Sequence, residues 1–280
     1  MKQKIDKQLL SELSKHSRKI SKKRIFQSMG YERCGELPWV ASKLESLYSK
    51  NINYLDIGTG TSVLPTYIMK KTNWDITCVD KFSWVQSQHK FAKKVLNNSK
   101  LKNRLHVIED DIINTNLPLE SFDVITNISV VEHFEGNNDS VMMEKTAKLL
   151  KPGGLYILTT LVNDKFFKEF FVDKNVYGEK YKSDPVFFQR HYDLETISNR
   201  LIKPSRLLEK ERVYLGDYDF QFCERLLDIP WPFKPIKIFY QWANPFFARR
   251  FLSYRNYPIN RPEMTMYTSS CVCMVLEKPI

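Results

Sequence analysis

The chain has 280 residues, 42% of them apolar and 27% charged, with a formal net charge of +11. Those values are the ones of an ordinary globular protein, long enough for one large domain or one domain with an appendage. No run of eighteen apolar residues and no signal-peptide core is present, so the expectation is a cytoplasmic chain that does not span a membrane.

Taken in order, residues 1–28 read as a basic, polar helical stretch with Ile5, Leu9, Leu10 and Leu13 as a thin apolar stripe. Its charge run reads first as a solvated helix or tail, and second as an arm that caps a site. Leu37 to Ser49 reads as an amphipathic helix leading into Ile52–Ile57, a short apolar run with the character of a buried strand. Gly58-Thr59-Gly60 then makes a turn, and Val63 to Lys70 a helix with Pro65 in its first turn. Strand, glycine turn and helix is the unit that takes nucleotide-like ligands at the carboxyl edge of a parallel sheet. A dinucleotide fingerprint fails at Val63, and a phosphate-cradling loop lacks its lysine and hydroxyl. Asp56, two residues before Gly58, would repel a pyrophosphate and attract an ammonium group. A positively charged cofactor containing adenosine fits better than NAD or ATP.

Trp74–Asp80 reads as a second strand, and Asp80 lies about twenty residues beyond the glycines, where an acid accepts ribose hydroxyls. Leu105–Ile112 is a third strand closing on acids. Asp111 could accept from an adenine amine, and the Ile112 N–H could meet a ring nitrogen. Phe122–Ile128 is the fourth strand and runs into Ser129-Val130-Val131-Glu132-His133. A helix from Asp139 to Leu150, a Pro152-Gly153-Gly154 turn and a fifth strand, Leu155–Leu161, follow. Strands alternating with helices from 52 to 161 call for a doubly wound parallel sheet.

These stretches together resemble the class I S-adenosylmethionine-dependent methyltransferases. Leu55–Gly60 is similar to their first motif, Val79-Asp80 to the second, and Asp110-Asp111-Ile112 to the adenine contact. Ser129–His133 and Leu150–Gly154 resemble the stretches around their fourth and fifth strands, and Ser62 stands where the family often has a further glycine. The resemblance implies an α/β fold: a doubly wound, mostly parallel seven-stranded sheet with helices on both faces. It also implies S-adenosyl-L-methionine as cofactor and S-adenosyl-L-homocysteine as product. Asp56, Gly58 and Gly60 would hold the methionine part, Asp80 the ribose, and Asp111 and Ile112 the adenine. Asn127 and Ser129 would lie beside the sulfonium. Residues 127–130 lack the Asn/Asp-Pro-Pro-aromatic sequence used on exocyclic base amines.

The reading divides the chain into a basic helical extension (1–50), the cofactor-binding core (51–162), and a lid or substrate segment carrying the last strands (163–280). The last part holds the aromatic stretch Phe166–Phe171, a helix capped by Asp193, and strands at Leu207–Leu215 and Ser269–Leu276, the final one antiparallel. An aromatic-basic insertion free of acids spans 229–262. Three readings of it stand: a helical excursion packed on the sheet, peripheral membrane contact through 229–255, or a pocket wall. The five cysteines read as reduced thiols, and no metal-ligand spacing appears. Nucleic acid rests on charge alone and is disfavoured. The acceptor is expected to be a small molecule or a glycan-type or lipid-linked compound, methylated at oxygen. His133 is the first candidate base, His191 the second and Glu132 the third. A non-catalytic scaffold and an RNA methyltransferase are the alternatives.

Overall fold

A computed structural model describes residues 2–22, 29–96, 104–173, 176, 185–221, 236–260, 265–266, 268 and 270–280, with the backbone alone for 236–241. Cys223, the opening of the insertion (229–235) and Ser269 fall outside the described residues.

The strands are β1 (Gln3–Lys4), β2 (Asn53–Ile57), β3 (Asp75–Asp80), β4 (Leu105–Glu109), β5 (Phe122–Ile128), β6 (Leu150–Leu161), β7 (Lys168–Val172), β8 (Val186–His191), β9 (Leu208–Gly216), β10 (Ser253–Arg255) and β11 (Ser270–Glu277). The main helices are α1 (Lys7–Ile20), α2 (Arg33–Glu45), α3 (Leu64–Lys71), α4 (Ser87–Lys93), α5 (Asn138–Leu149) and α6 (Ile236–Phe251). One sheet runs in the order β1-β10-β9-β11-β6-β5-β2-β3-β4. Strands β4, β3, β2, β5 and β6 are parallel neighbours. The final strand, β11, is antiparallel to both β6 and β9, as the resemblance implies.

Among the described residues the sheet has nine strands rather than seven, because two short edge strands are added, β1 near the amino terminus and β10 between β9 and β11 in the chain. Gln3 pairs with Tyr254 and Lys4 with Ser253, and β10 in turn pairs with β9. A separate hairpin of β7 and β8 stands beyond β6 and was not foreseen.

The core lies on both faces of the sheet. Along each central strand alternate residues serve opposite faces: Tyr54, Val124, Ile157 and Cys273 one, Leu55, Ile125, Leu158 and Met274 the other. The first face is covered by α1, α2, α3 and α6, the second by α5 and the helical passage through Ile197 and Leu201. Cys34, Cys78, Cys271 and Cys273 are buried free thiols.

Three local expectations are corrected. The amino-terminal helix is not a solvated tail. Asp6 caps α1 by accepting from the Gln8 and Leu9 N–H groups, and Leu9, Leu10, Leu13 and Ile20 are buried in the core. Its lysines and Arg18 fill the opposite, exposed face. Helix α2 starts at Arg33 rather than Leu37, with Pro38 inside it. Pro152-Gly153-Gly154 is not a free turn. Gly153, at φ +73°, donates to the Lys278 carbonyl, and Lys278 N–H donates back to Gly154, so the stretch belongs to β6.

Candidate active site

A cavity of about 1000 Å³ opens at the carboxyl end of the parallel strands, at the top of the size range for small-molecule sites. The turn after β2 forms its floor. Gly58 has φ +67° and Gly60 φ +48°. A Cβ at Gly58 would sit 2.3 Å from Val130, so no other residue fits there. Gly60 N–H donates to Asp80 Oδ2 at 2.8 Å, while Asp80 Oδ1 accepts from Phe82 N–H at 2.9 Å and from Trp84 Nε1 at 3.2 Å. Burial raises the Asp80 carboxyl above its usual range, against these three donors. Asp80 therefore joins two loops as well as lining the cavity.

Asp56 reaches the cavity wall, yet its carboxylate is turned toward the sheet. Oδ1 accepts from Thr126 Oγ1 at 2.5 Å. Burial lifts its pKa to about 6, opposed by the Thr126 hydroxyl. Asp110, Asp111 and Ile112 line the same end. Asp111 Oδ1 accepts from Ile113 N–H at 3.0 Å, which holds that turn. Four acids thus gather at one end of a cavity in a strongly basic chain. This end suits a cation bearing hydroxyls and repels phosphate, so the residues fit S-adenosylmethionine.

The other end is built where β5 leaves the sheet. Ser129 takes φ +48°, a conformation a serine seldom adopts, and turns the chain into the cavity. Its hydroxyl donates to Glu36 Oε1 at 2.5 Å, and Thr159 Oγ1 donates to the same oxygen at 2.7 Å. Glu36 Oε2 accepts from Arg33 Nη1. Burial raises Glu36, but Arg33 and the hydroxyls outweigh it and hold the carboxyl below its usual range.

His133 lines the cavity and donates from Nδ1 to the Phe188 carbonyl at 2.7 Å. A carbonyl only accepts, so the proton sits on Nδ1 and the lone pair on Nε2. Burial, aided by Arg33 and opposed by the Phe188 carbonyl, lowers its pKa to about 4.

The other site candidates here are corrected. Asn127 does not face the cavity; it is fully buried, and its Oδ1 accepts from Val131 N–H at 3.2 Å to brace the turn. Glu132 points into the protein, where Oε2 accepts from Thr160 Oγ1 at 2.9 Å, and burial lifts its pKa to about 7. His191 is buried on β8 against Phe170, at 4.7 Å between ring centroids, and burial lowers its pKa to about 3. Neither Glu132 nor His191 is on the cavity wall.

Sequence reasoning missed Arg33, Glu36, Trp84 and the aromatic wall of Phe187 and Phe188. Arg33 and Glu36 belong to no motif, and both lie before Leu37, where the sequence reading begins the helix; their i, i+3 pairing follows only from the earlier start of α2.

Residues 55–158 match the family model of the methyltransferase domain. Solved structures share the fold at low identity. The 1,6-didemethyltoxoflavin-N1-methyltransferase of Burkholderia thailandensis, solved with 1,6-didemethyltoxoflavin and S-adenosylhomocysteine, is 10% identical, with a TM-score of 0.55 over 97% of this chain and 88% of that one. A SAM-dependent methyltransferase from Methanosarcina mazei is 13% identical, with a TM-score of 0.53 over 84% and 96%. An S-adenosylmethionine-dependent methyltransferase from Mesorhizobium loti is 12% identical, with a TM-score of 0.50 over 89% and 100%. No curated protein matches the chain. With the motif order, the acid-lined glycine turn and the family match in agreement, residues 55–158 are a methyltransferase domain of the class I S-adenosylmethionine-dependent kind.

Proposed function

We propose that this enzyme methylates an oxygen of a small-molecule, glycan-type or lipid-linked acceptor, with His133 receiving the acceptor's proton. One observation carries the reading: of the three candidate bases, His133 alone lines the cavity, and its neutral tautomer carries a lone pair on Nε2. The cofactor, when bound, supplies the activated methyl group. Asp80, Asp111 and the Gly58–Gly60 turn would hold it, and the aromatic wall of Phe134, Phe187 and Phe188 would take the acceptor's apolar body. Transfer of the methyl to the acceptor oxygen would leave the S–CH3 bonding pair on the sulfur of S-adenosylhomocysteine and would make the oxygen positive and its O–H acidic. The O–H pair stays on oxygen and the proton passes to His133 Nε2. A base with a pKa near 4 suffices for so late a transfer. Holding acceptor and donor in line supplies most of the remaining acceleration.

The test is a screen of hydroxylated acceptors with labelled S-adenosylmethionine, with products identified by mass spectrometry. A methyl ether or ester, and its loss in His133→Ala, supports the reading. Methylation confined to nitrogen or carbon, or full turnover in His133→Ala, rejects it.

A further inference from the structure

We propose that the exposed face of α6 docks this protein on an anionic phospholipid surface. The helix is two-sided in an unusual sense. Trp242, Phe246, Arg249 and Arg250 are exposed, and at 100° per residue they fall within an arc of about 100°. Ala243, Asn244 and Ala248 are buried on the other side, and Phe247 and Phe251 are half-buried there. A helix merely packed on a sheet puts its aromatics inward and its charges outward. Here aromatics and charges share the solvent face: Phe246 is 68% exposed and Trp242 50%.

That combination matches the headgroup boundary, where aromatic rings enter the acyl margin and guanidinium groups meet phosphates. Residues 236–260 contain no Asp or Glu to oppose an anionic surface. Strand β1 pairs with β10 directly after the helix, which brings the exposed Lys4 and Lys7 to the same end. At 16 residues α6 is about 24 Å long, so it lies in the interface plane and does not cross it. Among the described residues no helix is long and apolar enough to cross a membrane.

A second copy of the chain is a poorer occupant. Four side chains on one helix fall well short of the roughly 800 Å² per partner of a stable interface. A two-fold contact there would also bring Arg249 and Arg250 near their own copies. The face is rigidly tied to the enzyme, because Asn244 Nδ2 donates to the Met29 carbonyl at 3.0 Å and Met29 lines the cavity. The proposal rests on no assumption about the acceptor.

The test is co-sedimentation of the full chain with vesicles of phosphatidylcholine alone and of phosphatidylcholine with about one third phosphatidylserine. Partition onto the anionic vesicles is expected, with little onto the neutral ones. Each lost arginine costs about fivefold, so Arg249→Gln with Arg250→Gln weakens partition more than tenfold. Phe246→Ser weakens it at unchanged charge. S-adenosylhomocysteine affinity, unchanged in both variants, shows that they are folded. Absence of partition onto anionic vesicles at low salt overturns the proposal. Equal partition of Phe246→Ser and wild type overturns it in favour of general basicity. A solution dimer that Phe246→Ser splits assigns the face to a second copy instead.

Discussion

At the residue scale, Asp80 does two jobs with one carboxylate. It lines the acidic end of the cavity and takes N–H donors from the glycine turn, from Phe82 and from Trp84. Hydrogen bonds to a charged group are worth about 1.5–3 kcal/mol, so Asp80→Ala should weaken S-adenosylhomocysteine binding by roughly tenfold to a hundredfold in calorimetric titration. Unchanged affinity would remove Asp80 from the site. His133 carries its own pH signature. A base with a pKa of about 4 is unprotonated at neutral pH, so turnover should be flat on its account above about pH 5 and fall as pH drops through about 4. His133→Ala should lose about 10²–10⁴-fold in turnover and lose that acid limb with it. Glu132 titrates with the opposite sign. Its folded pKa, about 7, lies above the ordinary 4.5, so the folded state binds the proton more tightly and stability falls as pH rises between those values. Glu132→Gln removes this titration. The melting temperature of the variant minus that of wild type should therefore climb between pH 5 and pH 8, by several degrees. A difference that stays constant with pH would place the Glu132 charge in contact with solvent.

At the element scale, the site depends on how α2 is fastened to the sheet. Glu36 accepts from Ser129 at the end of β5, from Thr159 on β6 and from Arg33 on its own helix. Removing it leaves a half-exposed guanidinium and two buried hydroxyls without their acceptor. Glu36→Ala should cost about 3 kcal/mol, read as a lowered denaturant midpoint. Because Glu36 is held below its ordinary pKa, its contribution is present above about pH 4.5 and is lost as pH falls through its folded value. The penalty of Glu36→Ala should then shrink in acid. The elements from β2 to β6 were legible because each signals itself locally: β-branched runs, a glycine turn, acids at strand ends. The fastening of α2 was not, since a side chain reaching 93 residues along the chain to Ser129 leaves no periodic trace. The same reason explains the errors over Glu132 and His191. Sequence placed Glu132 just past the fourth strand and His191 in the lid or substrate segment, but only the three-dimensional structure decides that Glu132 points inward and that β8 buries His191.

At the scale of the whole molecule, the amino-terminal stretch separates composition from structure. Its charge run reads as solvated, and half of that is correct: Lys7, Lys15, Arg18 and Lys19 are exposed. The stripe between them was visible but looked too thin to matter, because its value depends on what it meets. It meets the face of the sheet already bearing α2, α3 and α6, and β1 continues that sheet beside β10. Leu9, Leu10, Leu13 and Ile20 are all within a few per cent of full burial. Each such side chain contributes about 1.5–3 kcal/mol, so the four rival the 5–15 kcal/mol that holds a typical native state. His16 adds a buried contact from Nε2 to Thr66 Oγ1 at 3.0 Å, which ties α1 to the helix that follows the glycine turn. A chain lacking residues 1–22 should therefore fail to fold stably or melt more than 10 °C lower, by roughly 2–4 °C for each kcal/mol lost. The comparison to make is thermal unfolding of the shortened and full chains by circular dichroism, alongside S-adenosylhomocysteine binding. If the stretch is only an arm over the site, the shortened chain keeps its melting temperature and its cofactor, and loses acceptor turnover alone. Loss of the cooperative transition instead makes α1 part of the scaffold that shapes the cavity, with Ser21 just beyond it on the cavity wall.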